Sequence, residues 1–336
     1  MTHHTLRSSA QRAFVSLACL GLLLGCGEQL DPASLLNKTR PLGIRFSVQG
    51  EPARTRPAAD ETLDLTLLMG HAAEELPVSF FAVFCVPEDS TRGVPFCAID
   101  DSGEPTLVGG IRSGADVLGD PSFTLDIPSE EELDALGVQE TLLLLGAVCQ
   151  GRLANLTGIA NLFDADPDSV NPCSDPEDDG AILSGRVTLL RGDAQNNANP
   201  GIASLTLDGE AWDSVPAGTD TGTGCAGMGL PEARQGAEPL AILLRPAGNA
   251  RESYDAVVDD ELMAVRESLQ VTSLATAGEM QRTFSFIDEE RDVVNVEWLP
   301  PEDGTPEDGE RVRFEFVMRD GRGGIDRVRR QVCLLP

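Results

Sequence analysis

Apolar residues recur at every second position along much of the chain, the spacing of strands with one buried face. Ile44, Phe46 and Val48 make one such set; Leu63, Leu65, Leu67 and Met69 make a second, and Phe123, Leu125 and Ile127 a third. Two segments, LPVSFFAVFCV (76–86) and ETLLLLGAVCQ (140–150), are apolar at both parities. That pattern predicts central strands covered on two faces. Only one helix is well specified: Ser129 is placed to cap it, Glu132 completes a capping box, Leu133 and Leu136 face inward, and Gly137 ends it. FDADPDSVNPCSDPEDDG (163–180) is too acidic and Pro-rich for a core element and reads as a long loop, after which SGRVTLLRG (184–192) supplies a strand. GDAQNNANPG (192–201) then carries no apolar pattern and marks a domain junction. Beyond it strands resume at GIASLTLDGEAW and PLAILLRP. The clearest alternation follows, with Val294, Val296 and Trp298 on one face and Val312, Phe314, Phe316 and Met318 on another. DGRGG (320–324) supplies turn residues able to take positive φ, and DRVRRQVCLLP returns as the partner strand. The expectation is an all-β protein with two β-sandwich domains, at 41–195 and 196–336.

The first 25 residues follow a different pattern. Arg7 and Arg12 precede an uncharged, mostly apolar run, AFVSLACLGLLL (13–24), in the order of an export signal. Twelve helical residues rise roughly 18 Å, short of the roughly 30 Å hydrocarbon core, so a permanent spanning helix is disfavoured. The run ends in Leu23, Leu24, Gly25 and Cys26, which resembles the lipobox of bacterial lipoproteins. That resemblance implies cleavage after residue 25, acylation of Cys26 with diacylglyceryl and palmitate-type chains, and a lipidated tether over 26–40. At about 0.8 kcal/mol per buried methylene, three chains make such attachment effectively permanent. Residue 27 is Gly rather than Asp, which under the enterobacterial sorting rule permits transfer to the outer membrane.

Composition narrows the setting further. The whole chain of 336 residues has a formal charge of −30, and loss of Arg7 and Arg12 with the leader makes it −32. Such a molecule is repelled by nucleic acid and by anionic headgroups. Its basic residues are Lys38 and otherwise only arginine. Apart from Cys19 in the leader and Cys26, the cysteines are Cys85, Cys97, Cys149, Cys173, Cys225 and Cys333. An even number in an exported chain implies three disulfides. Six cysteines allow about 15 pairings; adjacency favours 85 with 97, 149 with 173, and 225 with 333. Zinc is disfavoured, because no C-x-x-C pair and no neighbouring histidine is present.

Candidate chemistry is sparse. His71 is the only histidine beyond the leader, and no G-x-S-x-G or H-E-x-x-H accompanies it, so a surface or turn position is expected. Gly222, Gly224 and Gly227 match G-x-G-x-x-G, but without a βα unit around them they read as a loop pinned through Cys225. Asp164, Asp166 and Asp168 have the alternate spacing that lets carboxylates converge on Ca²⁺, with Asp175, Asp178 or Asp179 available to close the shell. A weaker acidic set is Asp288, Glu290, Asp292 and Asp320. Trp212, Trp298 and Tyr254 are the only aromatics besides phenylalanine, a poor supply for a glycan-stacking platform.

TFSFID, VEWLPPEDG and RFEFVMRDGRGG resemble Ig-like modules of the PKD type. The order of lipobox, Cys-bearing strands, N-x-N-P junction and terminal Cys strand is similar to uncharacterised Gram-negative lipoproteins with tandem Ig-like domains. The stretch 213–262 departs from it, being longer than a compact module needs. The resemblance implies a non-enzymatic structural or binding module of the cell envelope, anchored in the membrane through its N-terminal lipid, with an envelope protein or glycan as partner and no obligatory cofactor. The rival expectations are a Ca²⁺-dependent envelope hydrolase working through carboxylates, and an adhesin.

Overall fold

A computed structural model describes residues 32–72, 76–88, 96–154, 171–192, 194–214, 224–225, 228–258 and 261–336. Cys26 and the carboxylates Asp164, Asp166 and Asp168 lie outside the described residues. The architecture is all-β, as the alternation predicts.

In the first part of the chain the strands are β1 (Arg40–Val48), β2 (Thr62–Gly70), β3 (Val78–Cys85), β4 (Pro87–Glu88), β5 (Phe96–Cys97), β6 (Leu107–Val117), β7 (Ser122–Asp126), β8 (Thr141–Gln150) and β9 (Gly180–Thr188). They form an antiparallel sheet of order β1-β2-β7 and another of order β6-β3-β8-β9. Leu63, Leu65, Leu67 and Met69 of β2 meet Phe80, Phe84, Leu142 and Leu144 in the core between the two sheets. The remaining faces of β3 and β8 are also covered. Val83, Cys85, Leu143 and Leu145 pack with Cys97, held there by the Cys85–Cys97 disulfide, which explains why these two strands are apolar at both parities. Between β7 and β8 lies α1 (Glu130–Ala135). Its capping box joins Ser129 and Glu132 as expected, and Leu133 is its buried anchor.

The rest of the chain contributes β10 (Ile202–Leu207), β11 (Glu210–Ala211), β12 (Glu232–Arg234), β13 (Leu240–Pro246), β14 (Ser253–Val258), β15 (Glu261–Arg266), β16 (Leu269–Ala275), β17 (Glu279–Met280), β18 (Phe284–Ile287), β19 (Val294–Leu299), β20 (Glu310–Arg319) and β21 (Ile325–Leu335). Sheets of order β11-β10-β13-β19-β17 and β12-β21-β20-β16-β18 enclose a second core. Trp212 and Trp298 each stand edge-on to Phe314, at centroid distances of 5.0 and 5.1 Å. Both indoles donate to backbone carbonyls, of Gln331 and Ala277, so their polar edge is satisfied inside the core. The turn from β10 to β11 places Asp208 and Gly209 at φ of 49° and 86°. Two successive positive φ values match the right-handed twist of the strands, and Asp-Gly suits them.

Ser34–Pro336 nevertheless make a single compact unit. A third apolar cluster joins the two sheet pairs, in which Leu36, Leu42 and Leu68 pack on Leu274, Val317 and Ile325. The tether expected to reach residue 40 is therefore shorter, because Leu36 is buried and its amide donates to Ala275 O at 2.7 Å. The strand expected at 184–192 runs instead from Gly180 to Thr188. The polar junction segment is ordered by its own amides: Asn199 Nδ2 donates to Phe46 O, and Asn197 Nδ2 to the carboxylate of Asp320.

Candidate functional site: an apolar ribbon on a polar footing

β14 and β15 pair only with each other. Val257 faces Leu262 across the ribbon and Ala256 faces Met263. Val257 and Leu262 are 71% and 73% exposed, so a large apolar pair stands in solvent near the turn. A free two-stranded ribbon is marginal in water and needs something to pack on.

The footing supplies it. Arg322, in the turn between β20 and β21, sets its guanidinium 4.2 Å above the Tyr254 ring. The same guanidinium donates from Nη1 to Glu267 Oε1 at 2.6 Å and from Nη2 to Asn196 O at 2.8 Å. Glu267 is buried, and its other oxygen accepts the Glu252 amide at 2.9 Å. Glu252 in turn accepts the Ala198 amide at 2.9 Å. Gln195 closes the ring by accepting from the Asp255 amide through its side-chain oxygen at 3.1 Å. The base of the ribbon is thus tied to the junction segment 195–198 and to the 320–324 turn through Tyr254 and Asp255 of β14 and the flanking Glu252 and Glu267. That turn has its own anchor in the buried Asp320 carboxylate, which accepts the Arg322 and Gly324 amides at 2.7 and 2.9 Å. Only glycine fits at 324, because a Cβ there would lie 2.1 Å from Asp320 Oδ2. Burial pushes the Glu267 carboxyl upward and Asp320 adds to this, against the Glu252 amide and the Arg322 guanidinium, which favour the ionised form. Burial pushes Asp320 up as well, against its amide and Asn197 donors.

A second polar cluster welds the sheet pairs along the outer face of β21. Arg327 Nη1 donates to both Met69 O and Asp120 Oδ1 at 3.0 Å, and Arg329 Nη2 donates to Met69 O at 2.7 Å. Glu315 lies between the two arginines, 2.8 Å from Arg329 Nε and 3.5 Å from Arg327 Nε. Burial dominates there and pushes its carboxyl up to about 7 in spite of both cations.

The residues singled out in the sequence scatter rather than converge. Cys85–Cys97, Cys149–Cys173 and Cys225–Cys333 are disulfides, the pairs adjacency favours. They place the chain in an oxidising, extracytoplasmic environment. Of the surface or turn position expected for His71 the surface half fails: it directly follows β2 and is buried at 3% exposure. Of the glycine motif, Gly224 and Cys225 are described: Cys225 donates its amide to Asp308 O and is bridged to Cys333. Asp175 and Asp179 serve the backbone, accepting the amides of Glu177 and Thr39. Asp288 pairs with Arg291 while Asp320 holds the turn, so these two acids do not form a joint site. Among the described residues no group of three His, Cys, Asp or Glu side chains is placed to hold a metal ion, and no helix is long and apolar enough to cross a membrane. The acidic triplet itself lies outside them.

The ribbon is what sequence reasoning missed, leaving all but its last four residues inside the over-long stretch 213–262. Its signal was present but faint: VV and ELM flank an Asp-Asp pair that has no glycine to announce a turn. No known protein family matches this chain, and no curated protein aligns with it at a significant level.

Proposed function

We propose that the chain is a lipid-anchored protein of the Gram-negative cell envelope, a non-enzymatic binding module of tandem Ig-like sandwiches that engages another envelope protein through its ribbon. Exposure of Val257 and Leu262 on a ribbon rooted in hydrogen bonds and a cation–π contact carries the reading. Large apolar side chains held out together on a rigid mount mark interaction sites in soluble proteins, and rigidity lowers the entropy lost on binding. LLLGC with Gly27 supports acylation at Cys26 and the outer membrane as the destination. The disulfides support export.

The test is in-cell photo-cross-linking with a photoreactive residue replacing Leu262, compared with the same residue replacing Ile111, an exposed apolar position on the edge strand β6. A discrete cross-linked product at 262 and none at 111 is the expected result. Equal labelling of the two positions would overturn the assignment of the ribbon as the contact.

A further inference from the structure

We infer that the β18 edge, with Phe284 and Phe286 outward, lies against the bilayer, so that the second sheet pair has a membrane-facing side. This rests on the acylation of Cys26 proposed above. The first observation is where the tether joins the fold. Ser34 O accepts the Ala275 amide at 3.0 Å, and Ser34 Oγ accepts the Met280 amide at 3.4 Å. Ser34 is thus fixed at the end of β16. Seven residues lie between it and Cys26, and the eight Cα–Cα steps, fully extended, reach at most about 28 Å. A compact body of about 300 residues has a radius of gyration near 19 Å and is about 50 Å across. The tether is shorter than the body it holds. Ser34 is therefore held within about 28 Å of the lipid, which keeps it off the far side of the body.

The second observation is what that side displays. Phe284 pairs with Thr272 and Phe286 with Gln270, on the edge of the same strand, β16, whose end holds Ser34. Thr272 is three residues from Ala275, about 10 Å along the strand. Ile287 points into the core, while Phe284 and Phe286 point outward at 53% and 45% exposure. Their cross-strand partners Thr272 and Gln270 are uncharged, and the one cation bonded to them, Arg319, donates to Thr272 Oγ1 at 2.9 Å. In a chain this acidic, an outward surface of two phenylalanines beside neutral partners suits the boundary of a zwitterionic bilayer, where phenylalanine inserts and no anionic headgroup repels.

The test uses the full lipidated protein in phosphatidylcholine vesicles with brominated acyl chains, and reads tryptophan quenching in three variants: Phe284→Trp, Phe286→Trp and, on the ribbon, Leu262→Trp. Strong quenching of the added indole at 284 and 286, with that at 262 unquenched, is the expected result. Vesicle-bound protein that shows no quenching at 284 or 286 overturns the bilayer contact while leaving the anchor intact. Burial of those indoles by concentration-dependent self-association overturns it equally and assigns the edge to a second copy. Failure of the protein to bind vesicles at all overturns the anchor, and this inference with it.

Discussion

Replacing Cys225 and Cys333 together by alanine probes the longest-range covalent tie in the molecule. The bridge spans 108 residues, against 12 for Cys85–Cys97. Loop-closure entropy gives about 4.8 kcal/mol for the long loop and about 2.8 kcal/mol for the short one. The native side changes little, since Cys225 and Cys333 stay placed by amide bonds to Asp308 O and Pro231 O. The effect on melting depends on how much structure unfolds together. If the seam at Asp120, Arg327 and Arg329 couples both sheet pairs, about 300 residues melt as one, with an unfolding entropy near 0.6 kcal/mol/K, and the transition falls by about 8 °C. If the second sheet pair melts alone, its smaller entropy makes the fall about 17 °C and leaves a separate, unshifted transition. Differential scanning calorimetry of the wild type, this variant and the Cys85/Cys97 double variant distinguishes these. A single endotherm moving by the smaller amount, with the short-loop variant moving less, is expected. Two endotherms would refute the weld, and equal shifts in the two variants would refute the loop-length argument.

Three other outcomes follow from the same contacts. Glu315, raised from 4.5 to about 7, keeps in the folded state a proton that the unfolded chain releases across that window. Its contribution to stability therefore falls by on the order of 3 kcal/mol as pH climbs from below 4.5 to above 7; urea melts should show this slope in the wild type and not in Glu315→Gln, and identical slopes refute it. Asp120→Ala leaves the paired guanidiniums of Arg327 and Arg329 with Glu315 as the one remaining carboxylate they share. It should cost about 3 kcal/mol and broaden or split the endotherm, and an unchanged scan contradicts the seam. Val257→Ser with Leu262→Ser should stay within about 0.5 kcal/mol of wild-type stability while abolishing cross-linking from a probe at Met263; retained cross-linking removes the ribbon from the interface.

The elements that were legible in the sequence are those that face one water-excluding core. Leu63, Leu65, Leu67 and Met69 alternate because their intervening neighbours lie outside that core, and β3 and β8 lose the alternation because a second apolar cluster covers them. The capping box at Ser129 was legible for a related reason, since both halves of the interaction lie within four residues. The ribbon was not. Both its faces are open to solvent near the turn, so no core imposes contrast between odd and even positions. The footing and the seam were hidden by distance along the chain: Tyr254 meets Arg322, and Asp120 meets Arg327, with nothing local to mark either pair. For His71 the lack of a catalytic motif left a surface or turn position as the expectation, whereas it directly follows the buried end of β2 and is itself buried.

Intact-mass spectrometry of the native protein extracted from envelopes tests the central claim most directly. The account predicts a chain beginning at Cys26, heavier than its sequence by a diacylglyceryl group and an acyl chain, and lighter by six hydrogens for three closed disulfides. A chain that retains residues 1–25, or that carries no lipid, would contradict it.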